Sequence, residues 1–161
     1  MRPTAAALMA MAAVAVLTGC PSTELPFSVP DLPGVLSPAM SDEEQIAAVL
    51  DDVQRGMESR RIYQVLAHVS RNYKDQEGRN YAGVQAYLNR RFREYREIRV
   101  TRTPPRIQVQ GNWARAIESF GTRAKPEEPD FGLGLNIQGQ VTINLEKVGD
   151  TWQITEWGPL Q

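Results

Sequence analysis

From Phe131 to Glu146 the chain sets Phe131, Leu133, Leu135, Ile137, Val141, Ile143 and Leu145 on alternate positions, with Gly139 as the one gap. Between them stand Gly132, Gly134, Asn136, Gln138, Gln140, Thr142, Asn144 and Glu146. Successive side chains of a strand point to opposite faces, so this pattern makes one long strand with an apolar face and a small or polar face. Such a strand belongs to an antiparallel sheet covered on one side. Gly139 reads as a bulge or bend that lets so long a strand curl.

The segments before it follow a different period. Ser41 and Glu44 have capping-box spacing. Ile46, Val49, Leu50, Val53 and Met57 follow at intervals of three and four, one apolar helix stripe. Ile62, Val65, Leu66 and Val69 continue in a short second helix ending near Asn72. Val84, Tyr87, Leu88, Phe92 and Tyr95 line a third, from about Tyr81 to Tyr95. Alternation then begins with Ile98 and Val100, breaks at Pro104-Pro105 and resumes with Ile107 and Val109. Proline cannot donate to a ladder, so this is an edge strand or two strand pieces with a bend between them. Gly111-Asn112 turns into a strand from Trp113 to about Thr122, and Gly149-Asp150 turns into a last strand in which Trp152 and Ile154 share a face. Helices first and a meander of strands afterwards predict an α+β domain, its N-terminal helices packed on one face of a curved antiparallel sheet.

That domain occupies residues 41–161. Residues 20–40 are broken by Pro21, Pro26, Pro30, Pro33, Gly34 and Pro38 and read as a semi-rigid tether. Residues 1–19 read as an export signal: Arg2 supplies a positive charge, and Ala5 to Leu17 is apolar but shorter than the roughly 20 residues of a membrane span. The run Leu17-Thr18-Gly19-Cys20 resembles the lipobox of bacterial lipoproteins. The resemblance implies cleavage by signal peptidase II before Cys20 and lipidation of its thiol. It also implies a location in the cell envelope, and Pro21, standing where an Asp favours inner-membrane retention, points to the outer membrane facing the periplasm. Two or three acyl chains give stable anchoring where one does not. Cys20 is the only cysteine, so no disulfide forms within the chain and the core alone holds the domain.

The closing segment Leu145-Glu146-Lys147-Val148-Gly149-Asp150-Thr151-Trp152-Gln153-Ile154 resembles the last hairpin of the nuclear transport factor two-like superfamily. Ser70-Arg71-Asn72-Tyr73-Lys74-Asp75 and the order of elements over 41–161 are similar to the same superfamily. The resemblance implies a cone with a pocket between helices and concave sheet, where enzymes of the group place a carboxylate base opposite acidic donors. It also implies an outer sheet face often used for dimerisation. The fold hosts enzymes, binders and assembly modules alike.

No catalytic pattern of the group matches residue by residue. Glu118, between Ala116 and Phe120 on the more apolar face of its strand, is the candidate base, with Tyr63, His68 and Tyr73 as helix-borne partners. We read Glu118 as a surface or rim residue and His68 as a satisfied or solvent-facing imidazole, the catalytic roles being the alternatives. One histidine and one lipidated cysteine argue against a zinc site, and no phosphate loop or nucleophile motif occurs, so no cofactor is expected. Arg90, Arg91, Arg93, Arg96, Arg99, Arg102 and Arg106 crowd one region, although the net charge is only −1. Nucleic acid is excluded by export. The crowd reads as a solvated helix face plus strand arginines that lay their stems over apolar neighbours, with an anionic lipid or acidic protein surface as the alternative. Lys125 to Asp130 is expected to be a projecting loop, and Trp113 and Trp157 core or sheet-face residues. The expected function is a membrane-tethered, non-enzymatic module for a protein partner, a second copy or an apolar ligand. A small-molecule isomerase or cyclase is the alternative.

Overall fold

A computed structural model describes residues 39–128 and 132–161. The signal, Cys20 and most of the tether lie outside these residues, as does Phe131.

Three helices come first: α1 (Asp42–Glu58), α2 (Ile62–Leu66) and α3 (Tyr81–Glu94). The capping box forms as its spacing predicts. Glu44 N–H donates to Ser41 Oγ at 3.2 Å, and Ser41 N–H to Glu44 Oε2 at 2.7 Å. Two backbone N–H groups are thereby satisfied at the start of α1. Ile46, Leu50 and Val53 are buried along its stripe. A Cβ on Gly56 would stand 2.8 Å from Val65 Cγ2, so glycine lets α1 and α2 approach closely.

The second helix is shorter than its apolar spacing predicts. After Leu66 the chain leaves helical geometry to cover a sheet edge. Ile154 N–H donates to His68 O at 2.8 Å, Ser70 N–H to Ile154 O at 2.8 Å, and Lys74 N–H to Thr155 O at 2.9 Å. Val69 is buried there as the period requires, but in a β-bridge with Ile154.

The strands are β1 (Tyr95–Arg102), β2 (Arg106–Gln110), β3 (Trp113–Pro126), β4 (Leu135–Val148) and β5 (Thr151–Trp157), all antiparallel. Both β1 and β2 pair with β3, so Pro104-Pro105 divides one edge into two pieces. The open edge of β1 is capped from α1 at Val100: Glu58 accepts its N–H at 2.9 Å and Gln54 donates to its carbonyl at 2.8 Å. Unpaired strand edges invite aggregation, and both outer edges here are partly covered.

The inner sheet face carries Ala114, Ala116, Val141, Ile143, Leu145, Trp152 and Ile154, all buried in one core with the helix stripes. Trp152 is 2% exposed and donates its indole N–H to Asp42 Oδ1 at 3.0 Å, while Lys147 Nζ holds the same oxygen at 2.6 Å. The start of α1 is thus pinned to the closing hairpin.

Two readings of the long strand are corrected. First, β4 begins at Leu135. Leu133 is 94% exposed and Ile137 40%, whereas Leu135 between them packs against the core and Val141, Ile143 and Leu145 are buried in it. Second, pairing with β3 runs without a register shift from Leu135 to Glu146, so Gly139 is no bulge in that ladder. A Cβ there would stand 2.6 Å from Leu160 Cδ1 and 2.7 Å from Gln161 O. Gly139 is small because the C-terminal residues lie over it, held by paired hydrogen bonds between Gln140 and Gln161 at 3.0 and 3.1 Å.

Candidate functional site

Glu118 does not lie at the surface or rim. Its side chain is 1% exposed on the inner face of β3, flanked by Ala116 and opposite Val141. The reason is Arg102, whose own side chain is 8% exposed. Arg102 Nε donates to both carboxylate oxygens at 2.9 and 3.0 Å, and Nη2 to Oε2 at 2.6 Å. Its Nη1 reaches outward to Asp51 Oδ1 at 3.0 Å. A buried carboxylate is tolerated when a bidentate guanidinium satisfies it. The same geometry commits both Glu118 oxygens to Arg102.

The other candidates do not converge on it. Tyr63 is 80% exposed on α2. His68 Nε2 donates to Asp52 Oδ2 at 2.7 Å at the half-exposed junction of α1 with α2, where Arg55 and Gln64 also donate to Asp52 Oδ1 at 2.8 and 2.9 Å. These donors, His68 foremost, hold the Asp52 carboxyl down at about 2. Tyr73 is buried, donates its hydroxyl to Asp75 Oδ2 at 3.1 Å and accepts Trp157 N–H at 3.3 Å. Burial, then the Asp75 charge, pushes its phenol well above the ordinary range. Asp75 is in turn held by Arg79 Nε at 2.7 Å and by the Arg79 backbone N–H at 2.8 Å. Glu118, Tyr63, His68 and Tyr73 therefore sit in separate networks, with no hydrogen bond joining them. Among the described residues no buried side-chain polar atom lacks a partner. The buried polar side chains inside the cone thus hold one another among the described residues.

Of the arginine crowd, Arg93 and Arg96 are exposed and make no ion pair among the described residues, and the other five divide three ways. Arg90 and Arg91 pair with Glu94 on α3 at 3.7 and 3.2 Å. Arg102 turns inward, so it is not the solvated strand arginine expected. Arg99 and Arg106 stand on the outer sheet face, where Arg115 and Arg123 of β3 join them. Arg99 lies directly opposite Arg123, and none of these four makes an ion pair among the described residues. Trp113, 60% exposed, shares the face. Between the arginines Thr101, Gly121 and Gln138 form one cross-strand row, with Thr103, Ser119 and Gln140 beside it. They line a broad, shallow depression of ≈ 660 Å³.

Sequence reasoning missed Arg115 and Arg123 because it ended β3 near Thr122 and gave its odd positions no face. The parity of Trp113, Arg115, Ser119, Gly121 and Arg123 was the available signal. The expected loop from Lys125 is also shorter at its start. Lys125 and Pro126 belong to β3, Lys125 pairs with Glu97 at 2.7 Å, and Glu127 is held by Arg60 at 2.7 Å.

No protein-family model and no curated protein matches the chain. Solved structures do. A nuclear transport factor two-like superfamily protein from Salmonella enterica superposes with a TM-score of 0.62 at 16% identity, over 72% of this chain and 87% of that one. A hexachlorocyclohexane dehydrochlorinase does so with 0.61 at 15%, over 71% and 80%. A candidate calcium/calmodulin-dependent protein kinase II association domain from Xanthomonas campestris gives 0.61 at 13%, over 75% and 88%. At these identities the likeness is one of fold alone: helices packed on a curled antiparallel sheet give this domain the nuclear transport factor two-like cone fold.

Proposed function

We propose that this protein is a non-enzymatic binding module, held at the bacterial envelope by a lipid on Cys20, whose working surface is the outer face of its sheet. The observation that supports it most is the Arg102–Glu118 pair. The carboxylate best placed to be a base inside the cone is held in a structural ion pair with a buried guanidinium. An enzyme of this fold needs an ionisable group facing an open cavity, its pKa tuned by the surroundings. The neighbours include a dehydrochlorinase and a candidate association domain, and the satisfied core favours the second kind of use.

The test is a double variant. Replacing a buried ion pair by apolar residues of similar volume is often neutral, whereas removing one partner is costly. Arg102→Met with Glu118→Leu should fold and restore the phenotype of a deletion strain. A folded double variant that fails to complement overturns this reading in favour of the enzyme. The anchor rests on Leu17-Thr18-Gly19-Cys20. Cys20→Ala should abolish labelling by a fatty-acid analogue, and unchanged labelling refutes the anchor.

A further inference from the structure

We infer that the outer sheet face binds a carboxylated polysaccharide, a ligand assignment that rests on the reading of this face as the working surface. Four features carry it. Arg99 and Arg123 are directly opposed across β1 and β3. Like charges so placed destabilise a sheet, and neither has a carboxylate partner among the described residues. A ligand that brings carboxylates relieves that repulsion through charge-assisted fork-to-fork hydrogen bonds.

The second feature is the floor of the depression. It is lined by hydroxyls and amides, chiefly Thr101, Thr103, Ser119, Gln138 and Gln140. These groups donate and accept, as sugar hydroxyls do. Gly121 keeps the floor open, since a Cβ there would stand 3.0 Å from Thr101 Oγ1.

Third, the arginines stand at both ends. Arg123 lies six residues from Ile117, the position opposite Arg106, and eight from Arg115. At about 3.4 Å per residue these spans are roughly 20 and 27 Å, the reach of an extended chain rather than a single small anion.

Fourth, Trp113 stands exposed two positions beyond Arg115. The C–H face of a pyranose ring packs on an indole, and such an amphipathic ring commonly marks a binding surface. Among the described residues Phe120 is the one aromatic residue lining the depression, short of the cluster of apolar and aromatic anchors that centres a protein–protein interface. The carboxylates of the same face, Glu146 and Glu156, already accept from Ser70 and Asn144, so a second copy would set arginines chiefly against arginines. Acidic sugar chemistry fits better than an acidic protein or a homodimer.

The full chain should bind oligogalacturonate in calorimetric titration, with affinity falling as salt is raised, and should bind neutral dextran at least tenfold more weakly. The pair Arg99→Gln with Arg123→Gln should weaken oligogalacturonate by about tenfold or more, and Trp113→Ala by about tenfold. All three side chains are exposed, and an unchanged thermal melt verifies that the variants fold. Polyglutamate should bind at least tenfold more weakly than oligogalacturonate and be indifferent to Trp113→Ala. Absence of oligogalacturonate binding, equal binding of polyglutamate, or binding untouched by the arginine pair overturns the assignment. If it falls while the Arg102/Glu118 double variant still complements, only the ligand is wrong and the non-enzymatic reading stands.

Discussion

On the inner face of the sheet Arg102, Glu118 and Lys147 each have a partner, whereas on the outer face Arg99, Arg106, Arg115 and Arg123 have no ion-pair partner among the described residues. Burial explains the difference. A charge taken out of water costs several kcal/mol unless paired, so the inner face admits charges only as closed networks. The outer face stays in water, where unpaired arginines are tolerated even when opposed. An inner-face carboxylate therefore reports on folding, and the outer-face cations are the groups free to meet something else.

The comparison is most open to attack at the core. Trp152→Ala removes a side chain that is 2% exposed and ties β5 to α1. It should cost about 3–5 kcal/mol in chemical denaturation. A loss below roughly 1 kcal/mol means the closing hairpin does not hold the core as described. Glu118→Gln should come next, at about 2–4 kcal/mol, because Arg102 would remain charged with only the exposed Asp51 opposite. Near-neutrality there would erase the contrast between the two faces.

A milder test uses pH. The Asp52 carboxyl is held at about 2 in the folded state, against an ordinary 3.8. A folded pKa below the unfolded one contributes stability that is complete above about pH 4 and is lost as pH falls towards 2. Asp52→Asn should flatten the acid limb of the stability curve in that window. An identical acid limb in both proteins excludes the Asp52–His68 contact as its source.

Smaller still, Gly139→Ala should displace the residues around Leu160 at a cost of about 1 kcal/mol, read as faster amide exchange at Gln161 and Gln140. Arg123→Gln should leave stability within about 0.5 kcal/mol or raise it slightly, since it removes a like-charge contact with Arg99. A large loss from Arg123→Gln would show that the outer face is structural after all.

Much of the fold is legible in local pattern. The capping box at Ser41 and Glu44, the stripe from Ile46 to Val53, the divided edge at Pro104-Pro105 and the shared face of Trp152 and Ile154 all follow from spacing, because periods of 3.6 and 2 are properties of the backbone. The readings that failed depended on residues far away in the chain. Val69 carries a helical period but sits against Ile154. Of the two readings of Gly139, bulge or bend, the bulge is absent from the ladder with β3, and Leu160 lies against the glycine instead. Leu133 and Ile137 continue an apolar alternation and yet stand exposed, while Leu135 between them reaches the core.

The site divides along the same line. The order of elements, the two faces of β4 and the surplus of arginine around residues 90–106 are written in the sequence, since composition and alternation need no partner. Only the tertiary structure decided which arginine goes where: Arg102 inward to Glu118, sixteen residues on, and Arg99 outward against Arg123. Strand register sets those juxtapositions. It is fixed by the summed burial of whole strands, and a shift of one residue would exchange the two faces entirely.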